Sequence, residues 1–144
     1  MYAPPLTASA ASDDVVTLVN ARDMGIGREI FLVVVGSGTF ASAAGTATLQ
    51  IAVQYSTDNV TYVDAALSPV MTITQLNNTD LANEPYLFGI CLPRPKKGIT
   101  TTPLYIRLYY TVGTQSFTAG TVQAYLSIGR DDVVYYPRNY SVTV

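Results

Sequence analysis

The chain has 144 residues, 49% of them hydrophobic and only 12% charged, with a formal net charge of −2, one cysteine, no histidine and no tryptophan. That length fits one domain, which buries about 68–70% of the surface its unfolded chain exposes. With no histidine the commonest acid–base catalyst and metal ligand is missing, and a single cysteine excludes an internal disulfide and any zinc site built on Cys and His.

Residues 1–12, MYAPPLTASAAS, are Ala-, Ser-, Thr- and Pro-rich with little to bury, which predicts a flexible N-terminal arm ahead of a domain over 13–130. Val15 to Asn20 reads as a first strand, and Asp23 to Gly27 as a turn whose glycines permit positive φ. Glu29 to Val35 is apolar enough for a strand covered on both faces, and Gly36 to Gly45 is a loop of small residues. In Thr46 to Tyr55 the alternation is clean: Ala47, Leu49, Ile51, Val53 and Tyr55 face inward, and Thr46, Thr48, Gln50, Ala52 and Gln54 outward. A turn over 56–59 leads to short strands at Val60–Val63, Val70–Thr74 and Tyr86–Leu92, with one helical turn or a long loop over 75–84.

Pro103 to Gly129 alternates twice. Leu104, Ile106, Leu108, Tyr110 and Val112 oppose Tyr105, Arg107, Tyr109 and Thr111; then Val122, Ala124, Leu126 and Ile128 oppose Thr121, Gln123, Tyr125 and Ser127. This predicts a half-buried antiparallel hairpin. GTFASAAGTATLQ at 38–50 is weakly similar to TQSFTAGTVQ at 114–123, as expected of two hairpins with similar loop chemistry. The fold class is therefore all-β: a two-sheet antiparallel sandwich of about eight strands, for which the jelly roll is a common solution. Residues 131–144 form a C-terminal arm.

The inventory for chemistry is nearly empty, so no enzyme, metal or cofactor is expected. Asp13–Asp14 and Asp131–Asp132 are adjacent pairs, and adjacent strand residues point to opposite faces. Asp58–Asn59 lacks the spaced acidic ligands of a calcium loop. Neither Gly25-Ile-Gly27 nor Gly36-Ser-Gly38 extends to a phosphate-binding pattern. Three glycosylation sequons, at Asn59, Asn77 and Asn139, are expected to be chance matches in a Thr-rich chain, since no secretory signal is expected. Cys91, amid LFGICLP, is expected to be a small buried hydrophobe.

Charge divides unevenly. Residues 1–93 hold two basic and eight acidic side chains, and residues 94–144 hold six basic and two acidic, giving −6 and +4. The one basic cluster, Arg94, Lys96 and Lys97 in PRPKKG, is far short of a groove that tracks phosphates, so nucleic acid is a poor partner. It reads as a solvated loop or as a contact with an acidic protein surface. Mean hydropathy is positive at +0.25, yet the longest uncharged run, Ile30 to Thr57, is broken by Gly36, Gly38 and Gly45 and forms no membrane span. A soluble protein that does not use a signal peptide is expected. Of eleven tyrosines, Tyr55 and Tyr110 belong to the core, while Tyr135, Tyr136 and Tyr140 in the C-terminal arm are available to a partner or to packing back on the domain.

Ser12-Asp-Asp-Val-Val-Thr-Leu18, Ala21-Arg-Asp-Met-Gly-Ile-Gly27, Ile30-Phe-Leu-Val-Val34, Phe40 to Gln54, Tyr110-Thr-Val-Gly-Thr114 and Thr118-Ala-Gly-Thr-Val122 form an ordered series. In that series the chain resembles the jelly-roll capsid cement (decoration) proteins of short-tailed bacteriophages, over residues 12–128. The resemblance implies a structural role: no reaction, a site on the outer surface of the virion capsid, synthesis in the host cytoplasm, and the major capsid protein as partner. It also implies self-association, a homodimer before a trimer. The expected contact residues are Tyr2, Pro4, Pro5, Arg94, Lys96, Lys97, Tyr135, Tyr136, Arg138 and Tyr140. The competing expectation is a recognition module, a carbohydrate-binding or tail-fibre-like sandwich with exposed tyrosines as stacking platforms.

Overall fold

A computed structural model describes residues 6–17, 29–77, 86–92 and 105–128. The elements in chain order are β1 (Ala10–Ala11), β2 (Val16–Thr17), β3 (Ile30–Ser42), β4 (Thr48–Ser56), β5 (Val63–Leu67), β6 (Met71–Thr72), α1 (Ile73–Leu76), β7 (Tyr86–Cys91), β8 (Tyr105–Gly113) and β9 (Phe117–Ile128). They form two antiparallel sheets, so the all-β sandwich is the fold. The larger sheet runs β1-β8-β4-β5, with β2 also on β8 and β6 also on β4, and the smaller sheet runs β7-β3-β9.

The chain order of the pairings explains how two sheets close on one core. β3 pairs with β9 from Ile30↔Ile128 to Ser42↔Phe117, and β4 pairs with β8 from Thr48↔Gly113 to Ser56↔Tyr105. The first strand of this ribbon thus meets the last and the second meets the penultimate, the nesting of a jelly-roll ribbon. β8 and β9 consequently lie in different sheets, and Pro103–Gly129 is not a hairpin. The segment 114–116 is a corner between sheets, as is the turn that joins β3 to β4. Alternation cannot tell the two apart, because a strand buries one face whether its neighbour in sequence pairs with it or faces it.

The similar segments at 38–50 and 114–123 are those two corners. Their phenylalanines, Phe40 and Phe117, meet edge to face with centroids 5.7 Å apart. The Gln115 side chain joins the corners by accepting from the Ala44 backbone N–H at 2.8 Å. Gly120 sits at φ +91°, and a Cβ there would lie 2.6 Å from two Phe40 ring carbons, so glycine is required where β9 crosses Phe40.

Leu49, Ile51 and Val53 of β4 and Ile106, Leu108 and Tyr110 of β8 are buried against Leu32, Val34 and Phe40 of β3, as their alternation requires. Burying each such side chain is worth about 1.5–3 kcal/mol. Val33 and Val35 are buried on the opposite face of β3, so this strand is covered on both sides as expected. Leu126, expected in the core, is 40% exposed because β9 is an edge strand. Val122 is half-buried against the core; Leu104 and the Ile128 side chain lie outside the described residues. Cys91 and Tyr55, both expected inside, are half-buried.

Other boundaries shift for local reasons. β3 continues through most of the expected loop at 36–45, since Asn77 supplies Phe40 with strand-like partners: its Oδ1 accepts from Phe40 N–H and its Nδ2 donates to Phe40 O, both at 2.7 Å. Residues 60–62 belong to a turn, and the strand there is Val63–Leu67. The helical turn begins at Ile73 rather than within 75–84 because Thr72 and Gln75 form a reciprocal capping box.

Residues 6–12 do not stand away as an arm. β1 pairs Ala10↔Tyr110 and Ala11↔Tyr109, and β2 pairs Val16↔Ile106. Ser9 Oγ accepts from Val112 N–H at 2.9 Å and Ser12 Oγ from Leu108 N–H at 3.2 Å, which caps both ends of the short ladder. Leu6 packs against the core and accepts from Phe117 N–H at 3.2 Å. Residues 1–5 and 131–144 lie outside the described residues.

Candidate interaction surface

Outward residues of the larger sheet build its most distinctive surface. β8 presents Tyr105, Arg107 and Tyr109 on the face opposite Ile106, Leu108 and Tyr110, all three half-buried. β4 places Gln54 beside Arg107, and β5 places Asp64 beside Gln54. Gln54 links them: its Oε1 accepts from Arg107 Nε at 2.8 Å, and its Nε2 donates to Asp64 Oδ1 at 2.7 Å.

The turn after β4 completes the arrangement. Asp58 Oδ1 accepts from the backbone N–H groups of Thr61 (2.8 Å) and Val60 (2.9 Å) and from the Ser56 hydroxyl (2.8 Å). These bonds, the Thr61 amide first, hold the Asp58 carboxyl at a pKa of about 2. Asn59 adopts φ 60°, and its side chain accepts from the Tyr62 hydroxyl. The turn so fixed lays the Tyr62 ring on Arg107, whose Cζ is 3.6 Å from the ring centroid.

An apolar rim borders this surface at the β5 edge. Val60, Val63, Leu67 and Val70 are 80%, 68%, 55% and 56% exposed, half of the large hydrophobics exposed among the described residues. β5 is an edge strand, though a bulge between its Val53 and Gln54 partners interrupts its ladder.

All ten contact residues expected from the sequence lie outside the described residues: Tyr2, Pro4, Pro5, Arg94, Lys96, Lys97, Tyr135, Tyr136, Arg138 and Tyr140. The sequence showed Tyr105, Arg107 and Tyr109 on one face but gave no reason to join them to Tyr62, Gln54 and Asp64. Those meet through strand pairing across about fifty positions. Among the described residues no three His, Cys, Asp or Glu side chains come together, and no helix is long and apolar enough to cross a membrane.

No curated protein matches the chain. A family comparison does: the family Bbp16 matches residues 3–126, which takes in β1 to β8 and most of β9, and the chain belongs to the Bbp16 family.

Proposed function

We propose that this protein is a capsid cement (decoration) protein. It binds the outer surface of a tailed-phage head and bridges neighbouring capsomers of the major capsid protein, as a homo-oligomer with the dimer favoured. The geometric observation behind this reading is a small sandwich whose larger sheet turns outward a face of protein-binding character, Tyr62, Tyr105, Arg107 and Tyr109, bordered by exposed Val60, Val63, Leu67 and Val70. Many copies that each touch more than one subunit gain avidity without strong individual contacts. The ordered resemblance of residues 12–128 to cement proteins supports the same reading. A standard interface buries ~800 Å² per partner, and the segments outside the described residues, with Arg94, Lys96, Lys97 and the tail tyrosines, add contact area.

The test is whether purified protein binds empty mature heads of its own phage and raises the temperature at which they rupture. Heads that neither bind it nor gain stability contradict the reading. The recognition-module alternative gains from one observation, the gathering of Tyr62, Tyr105 and Tyr109 on one face. Clean, selective binding on a glycan array together with no head binding decides in its favour.

A further inference from the structure

We propose that Arg107 is the anchor of a carboxylate-binding hot spot, and that the outer face of the larger sheet receives an acidic side chain of the shell protein there. The inference rests on the cement reading and names the chemistry of one attachment.

A guanidinium has five N–H donors in one plane and two faces. In Arg107, Nε is taken by Gln54 and one face by the Tyr62 ring. Stacking engages the face and leaves the in-plane donors open, so four terminal N–H groups remain without a partner among the described residues. A planar acceptor that takes two parallel N–H bonds fits that edge, and a carboxylate is such an acceptor.

The carboxylate joined to Gln54, Asp64, is engaged with that amide rather than with the guanidinium. Among the described residues the cation is therefore held by a neutral amide and a ring, and its in-plane edge is open to a partner.

The side chain is also pre-positioned. Asp64 orients the Gln54 amide, Gln54 holds Nε, Asn59 holds Tyr62, and Tyr62 covers the guanidinium. An arginine already fixed loses less rotamer freedom on binding than a solvated one. Tyr105 and Tyr109 stand two positions away on either side of the same face, and Tyr and Arg are the residue types that dominate binding hot spots.

The experiment compares full-length wild type, Arg107→Ala and Arg107→Lys for binding to empty heads of the same phage, at low and at moderate salt. Folding is checked by circular dichroism and thermal melting. Expected are at least a tenfold loss for Arg107→Ala with a shallower salt dependence, and a loss nearly as large for Arg107→Lys, which keeps charge but not the planar fork. Wild-type affinity from a folded Arg107→Ala overturns the proposal, and full binding by Arg107→Lys overturns the bidentate contact. If Arg107→Ala fails to fold, the lysine variant decides alone. Failure of wild type to bind heads overturns the cement reading itself. Arg107-dependent self-association in light scattering, or Arg107-dependent binding of oligogalacturonate, assigns the face to a second copy or to an acidic sugar and also overturns the proposal.

Discussion

Tyr55 points into the sandwich at the end of β4, and among the described residues its hydroxyl is buried without a hydrogen-bond partner. Burial, with a smaller contribution from Cys91, raises its pKa above that of a free tyrosine. An unmet buried hydroxyl costs stability, so Tyr55→Phe is expected to be neutral or stabilising by about 1 kcal/mol in urea unfolding. Gly120→Ala is expected to have the opposite effect. The positive φ and the 2.6 Å approach to Phe40 leave a methyl group no room, and the loss should be on the order of 2–4 kcal/mol in the same measurement. Asp58 gives a pH signature. Its carboxyl titrates at about 2 in the folded protein, below its ordinary 3.8. It therefore contributes stability above pH ~4 that is lost as pH falls toward 2. Asp58→Asn should flatten that part of a stability-against-pH curve measured by denaturant melts.

At the scale of elements, the N-terminal segment shows how propensity and context differ. Residues 6–12 are small and polar with almost nothing to bury, which is the composition of a mobile arm. Tertiary context makes them an edge strand, because β8 has backbone donors at Leu108 and Val112 that Ser12 and Ser9 satisfy. Deleting residues 1–12 should lower the thermal transition by about 5–15 °C, since it removes several such bonds and uncovers the core beside Leu6. An unchanged melt in differential scanning calorimetry would return the segment to the status of an arm. β9 shows the reverse case. Its alternation is as regular as that of β4, yet Leu126 is partly exposed because only β3 flanks the strand.

For the whole molecule, seven of the eight cations lie in 18–28, 93–104 and 129–144, outside the described residues. The start of β3 and the ends of β7 and β9 lie together, since Phe31 pairs with Cys91 and Ile30 with Ile128. An electrostatic contact through Arg94, Lys96 and Lys97 is part of the proposed capsid attachment. Reversing all three charges should weaken head binding more at low than at high salt, because exposed ion pairs are worth only ~0–1 kcal/mol each and are screened. Equal weakening at both salts would mean that the loop acts through shape rather than charge.

The sequence by itself determined the class of fold, the inward faces of β4 and β8, and the lack of any histidine or second cysteine. Each of these depends on residue identity or on a period of two, which survives in any arrangement of strands. Only the tertiary structure decided that β8 and β9 part at a corner instead of forming a hairpin, that residues 6–12 pair with β8, and that Tyr62, Gln54 and Asp64 surround Arg107. These depend on which strand lies beside which, and strand partners are chosen by long-range packing of the core, to which a one-dimensional pattern is blind.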